Sequence, residues 1–221
     1  MFERSALSRI MPFATYMLFM VLEDVLRKYV GVNASDLRWI YPAKIIAVLS
    51  VLLYFRQDYD ELRQRLKVSS AAIAIAVGVV IFIIWINANM KWMVMGTSSG
   101  YDPRSPQGSL DWFFVVIRLA GAALVVPVME ELFFRSFLMR WMANPKFQQV
   151  EPQQIPWHYL LLVSGVFAIE HTLWFAGLLA GLAYGLLYMR CRNLWAPVLS
   201  HGITNGVLGV WVILTGSWQY W

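Results

Sequence analysis

Residues 157–190 read WHYLLLVSGVFAIEHTLWFAGLLAGLAYGLLYMR, an almost unbroken apolar run between Pro156 and Cys191. As one helix, this run would reach about 51 Å at about 1.5 Å per residue, far beyond a hydrocarbon core of about 30 Å. It is therefore predicted to be two helices that meet near Thr172 to Ala176, joined by a very short or re-entrant connection. A pair of helices of this kind is stable only where lipid covers its outer face.

The same pattern extends in both directions. A long apolar segment covers about 110–142, interrupted by Gly121 and Pro127, and another covers about 194–215. Towards the N-terminus, spans are expected at about 69–93, 38–56 and 10–30. Between them lie the charged stretch from Arg56 to Lys67, the Gly-, Ser- and Pro-rich loop from Gly96 to Ser109, and a loop marked by Pro145, Pro152 and Pro156. The expected fold is all-α, a polytopic transmembrane helix bundle of about seven spans. The composition agrees: 59% of the 221 residues are hydrophobic and 14% are charged, where a soluble domain carries about 25%. With no Ser/Gly linker, repeat or low-complexity tract, residues 1–221 are expected to form one integral membrane domain.

Arg4 and Arg9 precede the apolar run from Ile10 to Leu22, but Glu23, Asp24, Arg27 and Lys28 follow it in place of a small-residue cleavage site. This segment is read as a retained first helix rather than a signal peptide. With the N-terminus and the 56–67 loop in the cytoplasm, ten basic residues from Arg4 to Arg192 fall inside, and chiefly Arg27, Lys28, Arg38, Lys91 and Arg104 fall outside. That is the bias expected of a membrane protein, so the net charge of +5 points to membrane topology and not to nucleic acid. Cys191 stands alone, which excludes an intrachain disulfide and any multi-Cys metal site.

Glu130, Glu131, His171 and His201, with Arg135 and Asn205, lie within these apolar stretches. Ionisable groups inside a bilayer are costly, so they line a cavity or meet a partner. Glu131 and Arg135 are four apart, on one helix face and in the favourable order for an ion pair. Glu130 points about 100° away from them. His201 and Asn205 share a face at the same spacing, as do Phe167 and His171. Taken singly, each has a plain reading: a structural ion pair for Glu131 and Arg135, or a helix-to-helix hydrogen bond for either histidine. Gly177, Gly181 and Gly185 make overlapping GxxxG patterns that serve close helix packing. Arg118 is expected to reach towards headgroups.

In order, Glu130–Arg135 reads EExxxR, Phe167–His171 reads FxxxH and His201–Asn205 reads HxxxN. This set resembles the CAAX prenyl protease and bacteriocin-processing family of intramembrane proteases, also called the Abi family. The resemblance covers about 110–215 as a catalytic core, and residues 1–95 add helices without a recognised motif. It implies an endopeptidase in which Glu130 takes a proton from water, His171 holds that water, and His201 and Asn205 donate to the oxyanion. Glu131 and Arg135 would act as supports. A metal version would place Zn²⁺ on Glu130, His171 and His201, although no HExxH occurs. The implied partners are membrane lipid and a peptide or protein substrate, in a multi-pass protein of the bacterial inner membrane. The rival reading is a non-catalytic transporter, immunity factor or scaffold that uses the polar cluster for binding.

Overall fold

The computed structural model describes residues 3–96, 100–105 and 107–221. Seven apolar helices run through it: α1 (Arg4–Val30), α2 (Ile40–Tyr54), α3 (Val68–Asn87), α4 (Trp112–Ala143), α5 (Trp157–Ile169), α6 (Trp174–Cys191) and α7 (Trp195–Thr215). Five are long and apolar enough to cross a membrane; α2 and α5 are shorter. The protein is an all-α helical membrane bundle. In the loop expected over 96–109, residues 97–99 and 106 lie outside the described residues. The rest of that loop is irregular apart from one antiparallel bridge between Arg104 and Leu110.

The run 157–190 does break in two, slightly earlier than its composition suggested. α5 ends at Ile169 and α6 begins at Trp174. The two helices pack through the glycine stripe. A Cβ on Gly181 would lie 3.0 Å from Ser164, one on Gly177 would lie 3.3 Å from Ala168 and from His171, and one on Gly185 would collide with Leu160. Removing the side chain lets the backbones approach, which is how helices associate where water supplies no hydrophobic drive.

α4 carries the motif glutamates and is the least regular helix. π-helical turns occupy Gly121–Val125 and Leu132–Leu138, on either side of Val126–Glu131. Pro127 explains the first: it has no N–H to donate and its ring crowds the preceding turn, so the helix widens there. α7 packs on α3, α4 and α6, and α1 packs on α2 and α4. The N-terminal helices therefore flank the motif-bearing ones. Arg9, expected as a flanking charge, is instead buried. Its guanidinium bonds Glu61 at 2.8 and 2.6 Å, Ser136 Oγ at 3.0 Å, and the carbonyls of Ser5 and Asp58.

Candidate active site

α4 delivers Glu130 and Glu131 side by side to the interior, 7% and 0% exposed. Arg135 Nη1 donates to Glu131 Oε1 at 3.0 Å, and Arg135 Nη2 donates to the Gly181 carbonyl of α6 at 3.2 Å. Glu130 turns elsewhere. Among the described residues no Lys or Arg lies within ion-pair distance of it, and its Oε2 has no hydrogen-bond partner.

His201, on α7, lies between the two carboxylates. Its Nδ1 is 3.1 Å from Glu131 Oε1, and its Nε2 is 3.9 Å from Glu130 Oε2. The ring stacks on Tyr184, with centroids 5.0 Å apart and planes 19° apart. Tyr184 in turn donates its hydroxyl to Thr204 at 2.8 Å. Sequence reasoning did not single out Tyr184 or Thr204. The available signal was a phenol and a hydroxyl in apolar helices, each needing a partner once buried.

His171 was expected inside a helix and lies instead in the turn between α5 and α6, beyond Glu170. Its Nδ1 is 2.8 Å from the Phe167 carbonyl. A carbonyl only accepts, so Nδ1 carries the hydrogen, and in the neutral ring Nε2 keeps its lone pair. Phe167 packs against the ring with centroids 4.6 Å apart, as the four-residue spacing implied, and Trp85 of α3 meets it edge-on at 5.3 Å. Asn205 donates one amide hydrogen to the Ala122 carbonyl at 2.9 Å, within the first π turn of α4. The second hydrogen of that amide remains for another acceptor.

Glu130, His171, His201 and Asn205 line a single cavity of about 270 Å³. Glu131 and Arg135 stand behind its wall. Helices without motifs close much of the rest: Tyr16 and Met20 from α1, Tyr41 from α2 and Trp85 from α3. Glu170 also faces this cavity. Among the described residues no three His, Cys, Asp or Glu side chains are grouped so as to hold a metal ion. The trio Glu130, His171 and His201 does not fit one in this arrangement.

The profile described as type II CAAX prenyl endopeptidase, Rce1-like, matches residues 111–207, a little under half of the chain. Residues 111–207 are similar to that family of CAAX proteases. The matched stretch holds Glu130, Glu131, Arg135, Phe167, His171, His201 and Asn205. No curated protein and no solved structure matches the chain. The five long apolar helices fit an integral membrane protein, and the family that the matched residues resemble is one of peptidases.

Proposed function

We propose that the chain is an intramembrane endopeptidase that hydrolyses a peptide bond with a glutamate-activated water. The observation that carries this reading is the contrast between adjacent carboxylates. Glu131 is held through Oε1 by Arg135 and His201, whereas Glu130 faces the cavity and, among the described residues, its Oε2 has no hydrogen-bond partner. A water held between Glu130 and the lone pair of His171 Nε2 gives its proton to Glu130 while its oxygen attacks the carbonyl carbon. The resulting oxyanion accepts hydrogen bonds from the second N–H of Asn205 and from Nε2–H of His201 in its imidazolium form. As the tetrahedral centre collapses, the C–N bond breaks and Glu130 returns the proton to the departing amine. Glu131 fixes the imidazole through Nδ1, and Arg135 holds Glu131.

Residues 1–221 act as one membrane domain in this reading, because both halves of the chain wall the cavity. The excess of basic residues on the loops at the N-terminal end puts that end in the cytoplasm of a bacterial inner membrane. The substrate is a membrane-associated peptide or protein, a prenylated CAAX terminus or a bacteriocin-like peptide being the classes the family suggests. The rival, a non-catalytic binding protein, draws on the fact that His171, His201 and Asn205 each already hold a hydrogen bond within the protein.

A peptide-release assay on the reconstituted protein separates the two. Glu130→Gln should keep the parent's melting temperature and lose turnover by about 100- to 10,000-fold, the range for removing a general base. Asn205→Ala should lower kcat by about 100- to 1000-fold and change KM little. Equal release by parent and Glu130→Gln rejects the base assignment. A large KM change with kcat preserved would make Asn205 a substrate-binding residue. Bound metal lost from His201→Ala, with a mild effect of Asn205→Ala, would instead point to the metal version.

A further inference from the structure

A second cavity, of about 520 Å³, adjoins the first and shares Tyr16, Met20, Tyr41, Arg118 and Trp221 with it. Its walls come from the end of α1, the start of α2, the loop at Gly100–Asp102 and the start of α4. These segments lie at the end of the bundle opposite the N-terminus and the 56–67 loop.

Charges in and around this cavity do not balance. Each nearby carboxylate already has a cation: Glu23 with Arg27 at 2.9 Å, Asp102 with Arg104 at 2.5 Å and Asp111 with Arg38 at 3.6 Å. Lys44 and Arg118 are left over. Lys44 is 2% exposed, yet among the described residues its Nζ meets only Met20 Sδ at 3.2 Å and the faces of Tyr16 and Tyr41. Arg118, expected to reach for headgroups, instead lies over Tyr41 at 4.4 Å and Tyr101 at 5.4 Å, and its Nε has no hydrogen-bond partner. Among the described residues no carboxylate is within ion-pair distance of either cation. Ring faces compensate a buried cation only in part, and an unpaired charge in an apolar interior is held for a partner that arrives from outside.

We propose that Lys44 and Arg118 form an anion subsite that binds a carboxylate of the peptide substrate, resting on the proteolytic reading above. Continuity with the Glu130 cavity favours a peptide carboxylate over a lipid phosphate. Twelve residues of α4 separate Arg118 from Glu130, about 18 Å at about 1.5 Å per residue. An extended peptide covers that distance in about five to six residues at about 3.3 Å each. The carboxylate therefore lies within about that many residues of the bond cleaved. It is a chain terminus or an Asp or Glu side chain, entering from the end of the bundle opposite the basic loops.

Binding to the Glu130→Gln protein, in discs of zwitterionic lipid, tests this without turnover. The probes are one peptide as its free acid, as its C-terminal amide, and with its acidic side chains replaced by amides. Neutralising the recognised carboxylate should weaken Kd by about 10- to 100-fold, as expected for losing a charge-assisted hydrogen bond. Lys44→Met and Arg118→Gln, each checked for an unchanged melting temperature, should erase that difference and bind the neutral peptide as the parent does. Equal affinity for all the peptides overturns the proposal. So does an anionic lipid that is retained by the parent, lost from both variants and without influence on peptide preference, which would assign the cations to a headgroup. Carboxylate-dependent binding in a parent that cleaves nothing would keep the subsite and reject the proteolysis.

Discussion

Two buried arginine–glutamate pairs in this bundle have the same chemistry and opposite finish. Around Arg9 and Glu61 every guanidinium nitrogen has an acceptor, and both carboxylate oxygens are bonded, one of them also by Ser136. Around Arg135 and Glu131 the network is left open: among the described residues Arg135 Nε, Glu131 Oε2 and the neighbouring Glu130 Oε2 have no hydrogen-bond partner, and His201 leads from Glu131 into the cavity. A closed polar network rigidifies, whereas an incomplete one is tolerated only where something else completes it. On the proposed function, the first pair is architecture and the second supports the site.

The sharpest way to break that distinction is Glu131→Gln. It leaves Arg135 buried without its anion, a loss of about 3–5 kcal/mol for a broken buried pair. It also leaves His201 Nδ1 with a neutral acceptor in place of a carboxylate, and a catalytic group misplaced by about 1 Å costs on the order of 100-fold in turnover. Melting temperature and kcat per folded molecule should both fall; an unchanged kcat would confine Glu131 to structure.

Arg9→Met should give only the first of these effects. Glu61 lies near the rim, with a side chain 10% exposed, so about 3 kcal/mol is expected, the low end for such a pair. Turnover of the folded fraction should match the parent. A variant that melts normally but cleaves slowly would show that the Arg9 cluster reaches the site.

The smallest effect is one of pH. Burial pushes the Glu61 carboxyl up, but the hydrogen bonds and charge of Arg9, with the Ser136 hydroxyl, outweigh it and hold the group below its ordinary 4.5. The folded form thus prefers the carboxylate more than the unfolded form does. Its contribution is complete above 4.5 and is lost as pH falls through the lower folded value. Melting temperature followed from pH 7 into acid should show this step in the parent and lack it in Glu61→Gln. The same step in both proteins would remove Glu61 as its source.

The bundle and its motif residues were legible because both depend on local sequence. Length against bilayer thickness forced the break in 157–190, and four-residue spacing brought together Glu131 with Arg135 and Phe167 with His171. What escaped depends on long-range contact. No local pattern marks Arg9 for burial against a residue 52 positions away, or turns Arg118 inward onto Tyr41. His171 was set in a helix because Thr172 and Leu173 give no sign of a stop. Nor is the acceptor of Asn205 marked: the π turn near Pro127 presents the Ala122 carbonyl to it, and a widened turn is not written in hydropathy.

α5 has 13 residues, so it rises only about 20 Å through a hydrocarbon layer about 30 Å thick. Lipid beside it must thin or let its headgroups dip. A dip at the end of the helix marked by Glu170 and His171 would deform the bilayer next to the cavity. Such a hollow shortens the path from bulk solvent for the reactant that hydrolysis consumes, and it gives a membrane-anchored chain a shallow place to leave the lipid.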